Sequence, residues 1–450
     1  MFTIRSATDP LNEEYDMVST PAPVSEGRFA RLLRTQGISR PIAWGFVAVT
    51  IFMVGDGIEA GFLSPYLDEL GFSNGDIALL FSVYGIVVAV AAWLSGALAE
   101  AWGPKRVMML GFGIWFVFEI VFLLLGVMQQ NFAVMLLAFG IRGLGYPMFS
   151  YGFLVWVTMG TPEPVMGRAV GWYWFFSTLG LGVISSYFAG AVIGTLGELG
   201  TLWTSLAFVT VGGLMVAFLL RNPVREPVTL SNSVRGVVSS ITIVGSRPKV
   251  GIGGVVRIIN TLSFYAFVVF LSTYMVREIG FTQGQWQVIW GTMLAANVAA
   301  NLISGYLSDW IGRINVIAWA GGIGCFATVL ALFYVPTALG PAFGVTLVIG
   351  IFYGLALGMF VPLSAVVPLL APRNKAAAVA ILNLGAGLSQ FAGPVIAGLV
   401  TPLGVQGTVW IIASFYLVGF VLTFFLRQND AERDEARAIS EEEAALVAAV

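Results

Sequence analysis

The sequence predicts an all-α membrane protein of twelve transmembrane helices arranged as two related six-helix bundles. Hydrophobic residues make up 58% of the 450-residue chain, charged residues 10%, and the mean hydropathy is +0.89, too apolar for a soluble protein of several domains. Cutting the chain at polar, Pro and Gly punctuation leaves twelve apolar stretches of about the 20 residues that a hydrocarbon core of about 30 Å requires. The string Gly96-Ala97-Leu98-Ala99-Glu100-Ala101-Trp102-Gly103-Pro104-Lys105-Arg106 returns 209 positions on as Gly305-Tyr306-Leu307-Ser308-Asp309-Trp310-Ile311-Gly312-Arg313-Ile314-Asn315, each copy following a long apolar stretch. One chain therefore carries two matching halves.

The expected spans cover 42–66, 75–99, 106–127, 132–157, 166–190 and 200–220, then 251–276, 285–307, 316–335, 342–367, 376–400 and 407–427. Residues 1–41 contain Asp9, Glu13, Glu14 and Asp16 and lack the apolar core of a signal peptide, so they read as an unstructured N-terminal tail. The first bundle is 42–220, and the longest polar interruption, 221–250, forms the central loop. The second bundle is 251–427, followed by an acidic tail, 428–450. Nineteen of the 22 Lys and Arg fall in the two tails, the central loop and the loops on their side of the membrane. Only Arg277 falls opposite, and Arg142 and Arg257 lie within spans. The positive-inside rule then puts both termini and both copies of the motif in the cytoplasm of a cell whose plasma (inner) membrane holds the protein.

A net charge of -2, a pI of 5.4 and singly scattered arginines argue against a nucleic-acid partner. The single cysteine, Cys325, permits no internal disulfide. Without histidine or a metal-ligand cluster, neither cofactor nor metal is expected and an integral-membrane enzyme would have little to catalyse with. The expected partners are the lipid bilayer and a small molecule, with the protein a monomer.

The repeated loop keeps Gly-x-Leu-[Ala/Ser]-acid-x-x-Gly and closes on a basic residue. Its glycines let neighbouring helices approach closely, while the acid caps a helix N-terminus or pairs with a basic group. Gly96, Glu100, Gly103 and Arg106 in one copy, and Gly305, Asp309, Gly312 and Arg313 in the other, are accordingly the candidate gating set. Two such loops, between helices 2 and 3 and between helices 8 and 9, resemble the hallmark of the major facilitator superfamily. Glu100 stands where the family has Asp, and the second copy ends on one Arg rather than a basic cluster. Within the superfamily the chain resembles the bacterial polyol permeases that carry ribitol and arabinitol. The strings that carry this are Gly55-Asp56-Gly57-Ile58-Glu59 with Phe62-Leu63-Ser64, Gly140-Ile141-Arg142-Gly143 with Tyr146-Pro147, Gly171-Trp172-Tyr173-Trp174, Gly197-Glu198-Leu199-Gly200-Thr201-Leu202-Trp203 and Arg257-Ile258-Ile259-Asn260-Thr261. The resemblance implies alternating-access uptake of a linear sugar alcohol driven by a proton gradient, and no enzyme activity.

From the residues themselves, the informative groups are those that do not belong in lipid. Asp56, Glu59, Glu119, Arg142 and Arg257 sit inside expected spans, where a central charge costs about 2.5–3.5 kcal/mol on insertion scales, so they must face the bundle interior. Asp56 and Glu59, three apart, share a helical face, and rise per residue puts Arg142 and Glu119 within reach of them. Asp56, Glu59, Glu119 and Arg142 therefore form a candidate proton-coupling set, and without histidine any relay must rest on carboxylates. The same residues also fit buried ion pairs that only fix helix packing. Stepping 209 positions on from Asp56, Glu59 and Arg142 reaches Tyr265, Val268 and Ile351, none of them charged.

A polyol offers hydroxyls and a C–H surface, so its site needs amides, carboxylates and hydroxyls between aromatic walls. Candidates in the first half are Asp56, Glu59, Arg142, Tyr146 and Trp174; Asn260, Thr261 and Tyr265 come from helix 7, and Trp290 and Asn297 from helix 8. Tyr353, Asn383 and Gln390 complete the set from helices 10 and 11. Any one of them also fits helix-to-helix hydrogen bonding, and Trp174 an interfacial belt. The rival within transport is an organic-anion or sugar-acid carrier in which Arg142 and Arg257 bind a carboxylate.

Overall fold

The computed structural model describes residues 36, 38, 40–161, 163–220, 242–430, 432–434 and 438. The expected N-terminal tail, central loop and acidic tail thus lie largely outside the described residues. Among those described, the regular structure is entirely helical and falls into twelve spans.

Span 1 comprises Arg40–Gly57 and Leu63–Glu69, span 2 Asn74–Trp102, and span 3 Pro104–Val121 continued by the wide turns of Phe122–Val127. Span 4 comprises Phe132–Arg142 and Gly145–Gly160. Span 5 starts as Glu163–Thr178 and Leu179–Ile184; Gly197, at φ 69°, then divides Ser185–Leu219 between the end of span 5 and span 6. Only glycine takes such a backbone without strain. In the second half, span 7 is Pro248–Val269 with Leu271–Thr273 and Tyr274–Glu278, span 8 Gln283–Ile311, and span 9 Arg313–Asn315 through Gly324–Leu339. Spans 10, 11 and 12 are Phe343–Gly358 with Leu363–Leu369, Lys375–Val400 and Gly404–Phe425.

The sequence repeat is also a backbone repeat. Gly103 and Gly312 share φ near 90° and ψ near 139°, and each donates its N–H to the carbonyl four residues back, on Ala99 and Ser308. At the other end of the same helices, Ser73 forms a capping box with Asp76 and Thr282 forms one with Gln285. Each box is preceded two residues earlier by a left-handed glycine, Gly71 or Gly280. Every one of these pairs is separated by the same 209 positions. Such caps supply partners to N–H groups that a helix start leaves unpaired.

The halves meet along spans 1 and 7, 2 and 11, and 5 and 8. Glycine makes these crossings possible: a methyl on Gly85 would overlap the Gln390 carbonyl, one on Gly387 would sit 3.2 Å from Ala89 Cα, and one on Gly182 would press into Leu294. Contact is closest on the face opposite the repeated loops. There Ser64 donates to the Val269 carbonyl and bonds Thr273 at 3.0 Å, and Arg277 pairs with Glu69 at 2.6 Å. Ser64 and Thr273 are themselves 209 positions apart, so equivalent residues touch at the join. On the face of the repeated loops, a methyl on Gly96 or Gly305 would meet nothing within 4 Å among the described residues. The halves are thus sealed together on the face opposite the repeated loops.

Of the candidate gating set, Gly103 and Gly312 set the backbone of the two turns, and Arg106 and Arg313 are exposed. The side chains of Glu100 and Asp309 lie outside those described. Lys105, in the first copy, donates to the carbonyls of Ala217 and Leu220 at 2.7 and 2.6 Å, capping the end of span 6. A cation there meets the negative end of the helix dipole.

Candidate functional site

Two helices break where charge is buried. Span 1 leaves helical geometry between Gly57 and Leu63, around Glu59, and span 4 does so immediately after Arg142. Arg142 is fully buried. It donates to both oxygens of Glu59, at 2.8 Å for one pair, and to Glu119 Oε2. Glu119, also fully buried, accepts from Ser205 at 3.3 Å through its other oxygen. Four aromatic rings surround the guanidinium, with Phe139 at 4.4 Å, Trp115 at 5.1 Å, Tyr84 at 5.6 Å and Phe122 at 5.8 Å. Desolvated cation–π contacts of this kind add to the ion pairs. Asp56, one turn before Glu59, accepts from Trp115 Nε1 at 2.6 Å.

Beside this cluster, between the two halves, lies a cavity of about 260 Å³. The N-terminal half contributes Asp56, Glu59, Tyr84, Tyr146, Ser150, Tyr151, Tyr173, Trp174, Ser177 and Thr178; the C-terminal half contributes Thr261, Phe264, Tyr265, Trp290, Asn297 and Gln390. Gln390 bridges the halves: its Nε2 donates to Tyr146 Oη at 2.9 Å and to Tyr265 Oη at 2.8 Å. Phe264 and Trp290 stack at 4.9 Å. Trp290 Nε1 is buried without a hydrogen-bond partner among the described residues, a donor available to a bound hydroxyl.

The structure brings together Asp56, Glu59, Tyr146, Trp174, Thr261, Tyr265, Trp290, Asn297 and Gln390, and it sets four sequence candidates apart from the cavity wall. Arg142 lies behind Glu59. Asn260 is buried and committed to packing, donating to the Leu357 carbonyl at 3.1 Å and accepting from Arg257 at 2.6 Å. Tyr353 is buried against Ser263 at 2.7 Å. Asn383 is exposed on span 11. Helical spacing places a polar residue on a stripe, but which neighbour that stripe meets is decided by tertiary packing. Glu119 pairs with Arg142 and is not among the residues that line the cavity.

Sequence reasoning missed Trp115, Tyr84, Tyr151 and the Ser150–Tyr173–Ser177 hydroxyl network, in which Ser150 lies 2.7 Å from Tyr173 and 3.3 Å from Ser177. One signal was available: Trp115 and Glu119 are four apart and share the buried face of span 3.

The chain matches the Major Facilitator Superfamily profile over residues 45–362 and 253–449. It is 40% identical over 406 residues to the alpha-ketoglutarate permease of Bacillus subtilis (strain 168), covering 90% of this chain and 93% of that one. It is 36% identical over 397 residues to the D-arabinitol transporter of Klebsiella pneumoniae, covering 87% and 93%. The solved structure of the nucleoside transporter NupG superposes with a TM-score of 0.68 at 16% identity, covering 87% of this chain and all of the other, which is a likeness of fold. Relatives of 36–40% identity are thus named for a sugar alcohol and for alpha-ketoglutarate. With twelve spans, two repeated halves and transporters among its relatives, the chain belongs to the Major Facilitator Superfamily and is a multi-pass membrane transporter, not an enzyme.

Proposed function

We propose that this protein imports a linear polyol together with a proton, alternating between a state open to the outside and the state described here, with the repeated loops on the cytoplasmic face. The observation that carries the substrate class is the character of the cavity wall. Among the described residues that line it, the polar groups are hydroxyls, amides and the carboxylates Asp56 and Glu59, between aromatic faces, with no cation. A neutral, many-hydroxyl solute can satisfy such groups, whereas an anion would meet like charge.

Proton coupling is supported by charge. Asp56, Glu59 and Glu119 are buried with one guanidinium, that of Arg142. One cation leaves negative charge uncompensated in a low dielectric unless a carboxyl carries a proton. Asp56 reaches the cavity and holds no ion pair among the described residues, so it is the assigned carrier, with Glu59 and Arg142 sensing its charge.

A second reading has its own observation. The guanidinium of Arg257 donates to Asn260 and has no carboxylate partner among the described residues, and a 40% identical relative is named for alpha-ketoglutarate. Uptake into proteoliposomes separates the two: labelled ribitol or D-arabinitol should accumulate under an inward proton gradient, and gluconate or alpha-ketoglutarate should neither enter nor compete. Uptake of the acids alone would sink the polyol assignment.

A further inference from the structure

Buried polar side-chain atoms without a hydrogen-bond partner are concentrated on one helix. Among the described residues they are Arg142 Nε, Gln283 Oε1, both amide atoms of Gln287, and Trp290 Nε1. Positions 283, 287 and 290 are separated by four and three residues, so they share one face of span 8. That stripe starts at the first residue of the helix, on the sealed face, and ends in the cavity wall at Trp290.

Gln287 sits in the seal itself. It is fully buried. A methyl on Gly61 of span 1 would overlap its amide group, and one on Gly190 of span 5 would lie 3.2 Å from its Cβ. Both glycines belong to the other half, and Gly61 falls in the break of span 1, two residues from Glu59. Separating the halves on this face necessarily withdraws spans 1 and 5 from Gln287 and gives its amide to water.

An amide has two donors and one carbonyl acceptor, and leaving them unpaired in a dry interface costs more than a made bond returns. A seal chosen for tightness alone would carry Leu or Met at position 287. We propose that the stripe of Gln283, Gln287 and Trp290 is the wall that the C-terminal half presents to the passage on this face, and that the unpartnered amide of Gln287 sets how readily the seal reopens. In the open state the same groups offer hydrogen bonds to a hydroxylated solute on its way to Trp290. The proposal rests on alternation between two states, and the role of Gln287 in the seal does not depend on which substrate is carried.

The test is the distance between spin labels on cysteines introduced at Asn74 and Glu278, exposed positions of the two halves on the sealed face. The native Cys325 is buried. The purified full-length protein in lipid should show a short and a long distance. Gln287→Leu and Gln287→Met, which keep the volume and remove the amide, should each lower the long-to-short ratio about tenfold, raise the melting temperature and slow counterflow. A ratio unchanged within twofold in both variants, or shifted toward the long distance, overturns the role of Gln287. A single fixed distance in the unmodified protein, with and without D-arabinitol, instead overturns the alternation on which it rests.

Discussion

In the N-terminal half, the junction of spans 1, 3 and 4 holds Arg142 against Glu59 and Glu119. At the corresponding junction of the C-terminal half stands Tyr353, bonded to Ser263, which also bonds Tyr416. The pairs Gly143-Leu144 and Met148-Phe149 return as Gly354-Leu355 and Met359-Phe360, so the offset between halves slips from 209 to 211 here and sets Tyr353, not Ile351, opposite Arg142. Span 4 breaks after Arg142 while span 10 runs on through Tyr353 to Gly358. One fold thus supports a charged hub in one half and a neutral hydroxyl hub in the other. At this junction the two copies of one scaffold differ in kind, and the buried carboxylate–guanidinium cluster belongs to the N-terminal copy.

The contrast can be broken at its strongest point. Arg142→Met leaves Glu59 and Glu119 buried without their cation and is expected to cost about 3–5 kcal/mol, lowering the melting temperature by many degrees or preventing folding. Tyr353→Phe removes one neutral hydrogen bond and should cost about 1 kcal/mol while transport stays within twofold. Equal losses in the two variants, measured by thermal melting in detergent, would mean that the hubs are not different in kind.

Coupling comes next in expected size. Asp56→Asn should abolish accumulation driven by an imposed proton gradient yet leave counterflow of labelled polyol intact, with the gradient verified by a protonophore control. Tyr265→Phe, at the position 209 on from Asp56 and also in the cavity wall, should keep gradient-driven accumulation, with only KM raised by the lost hydroxyl. Loss of accumulation in both variants, or in neither, would remove the assignment of coupling to the N-terminal half.

The smallest expected effects belong to the bridge between the halves. Gln390→Leu removes the amide that joins Tyr146 to Tyr265; KM should rise about three- to tenfold with kcat retained, a magnitude typical of one or two neutral hydrogen bonds. Trp290→Phe keeps the stack on Phe264 and deletes the unpartnered donor, and a similar rise in KM for the polyol is expected. A wild-type KM in the Trp290→Phe transporter would show that this N–H meets no substrate hydroxyl.

Much of the architecture was legible because the bilayer imposes it. Apolar length fixes the spans, and local residue types fix their ends, as with the left-handed glycines Gly71, Gly103, Gly280 and Gly312 and the Ser73 and Thr282 caps. The site was less legible. Asn260 and Gln390 look alike in the sequence, each an amide in an apolar helix, yet one is spent on the Leu357 carbonyl and the other spans the cavity. Gln287 is one more amide in an apolar helix, set apart only by its lack of a hydrogen-bond partner among the described residues.

By itself the sequence determined that the chain lives in a membrane, that it is two related halves, and that a few charges in its spans must turn inward. Those conclusions rest on solvation, which acts on each residue separately and so can be read one residue at a time. Tertiary structure alone decided that Arg142 is claimed by Glu59 and Glu119, that Asp56 is left to the cavity, and that the halves are sealed on one face by spans 1, 5, 7 and 8. Those outcomes depend on contacts between residues up to 244 positions apart, as for Tyr146 and Gln390, and no local pattern encodes which distant partner a buried polar group will meet.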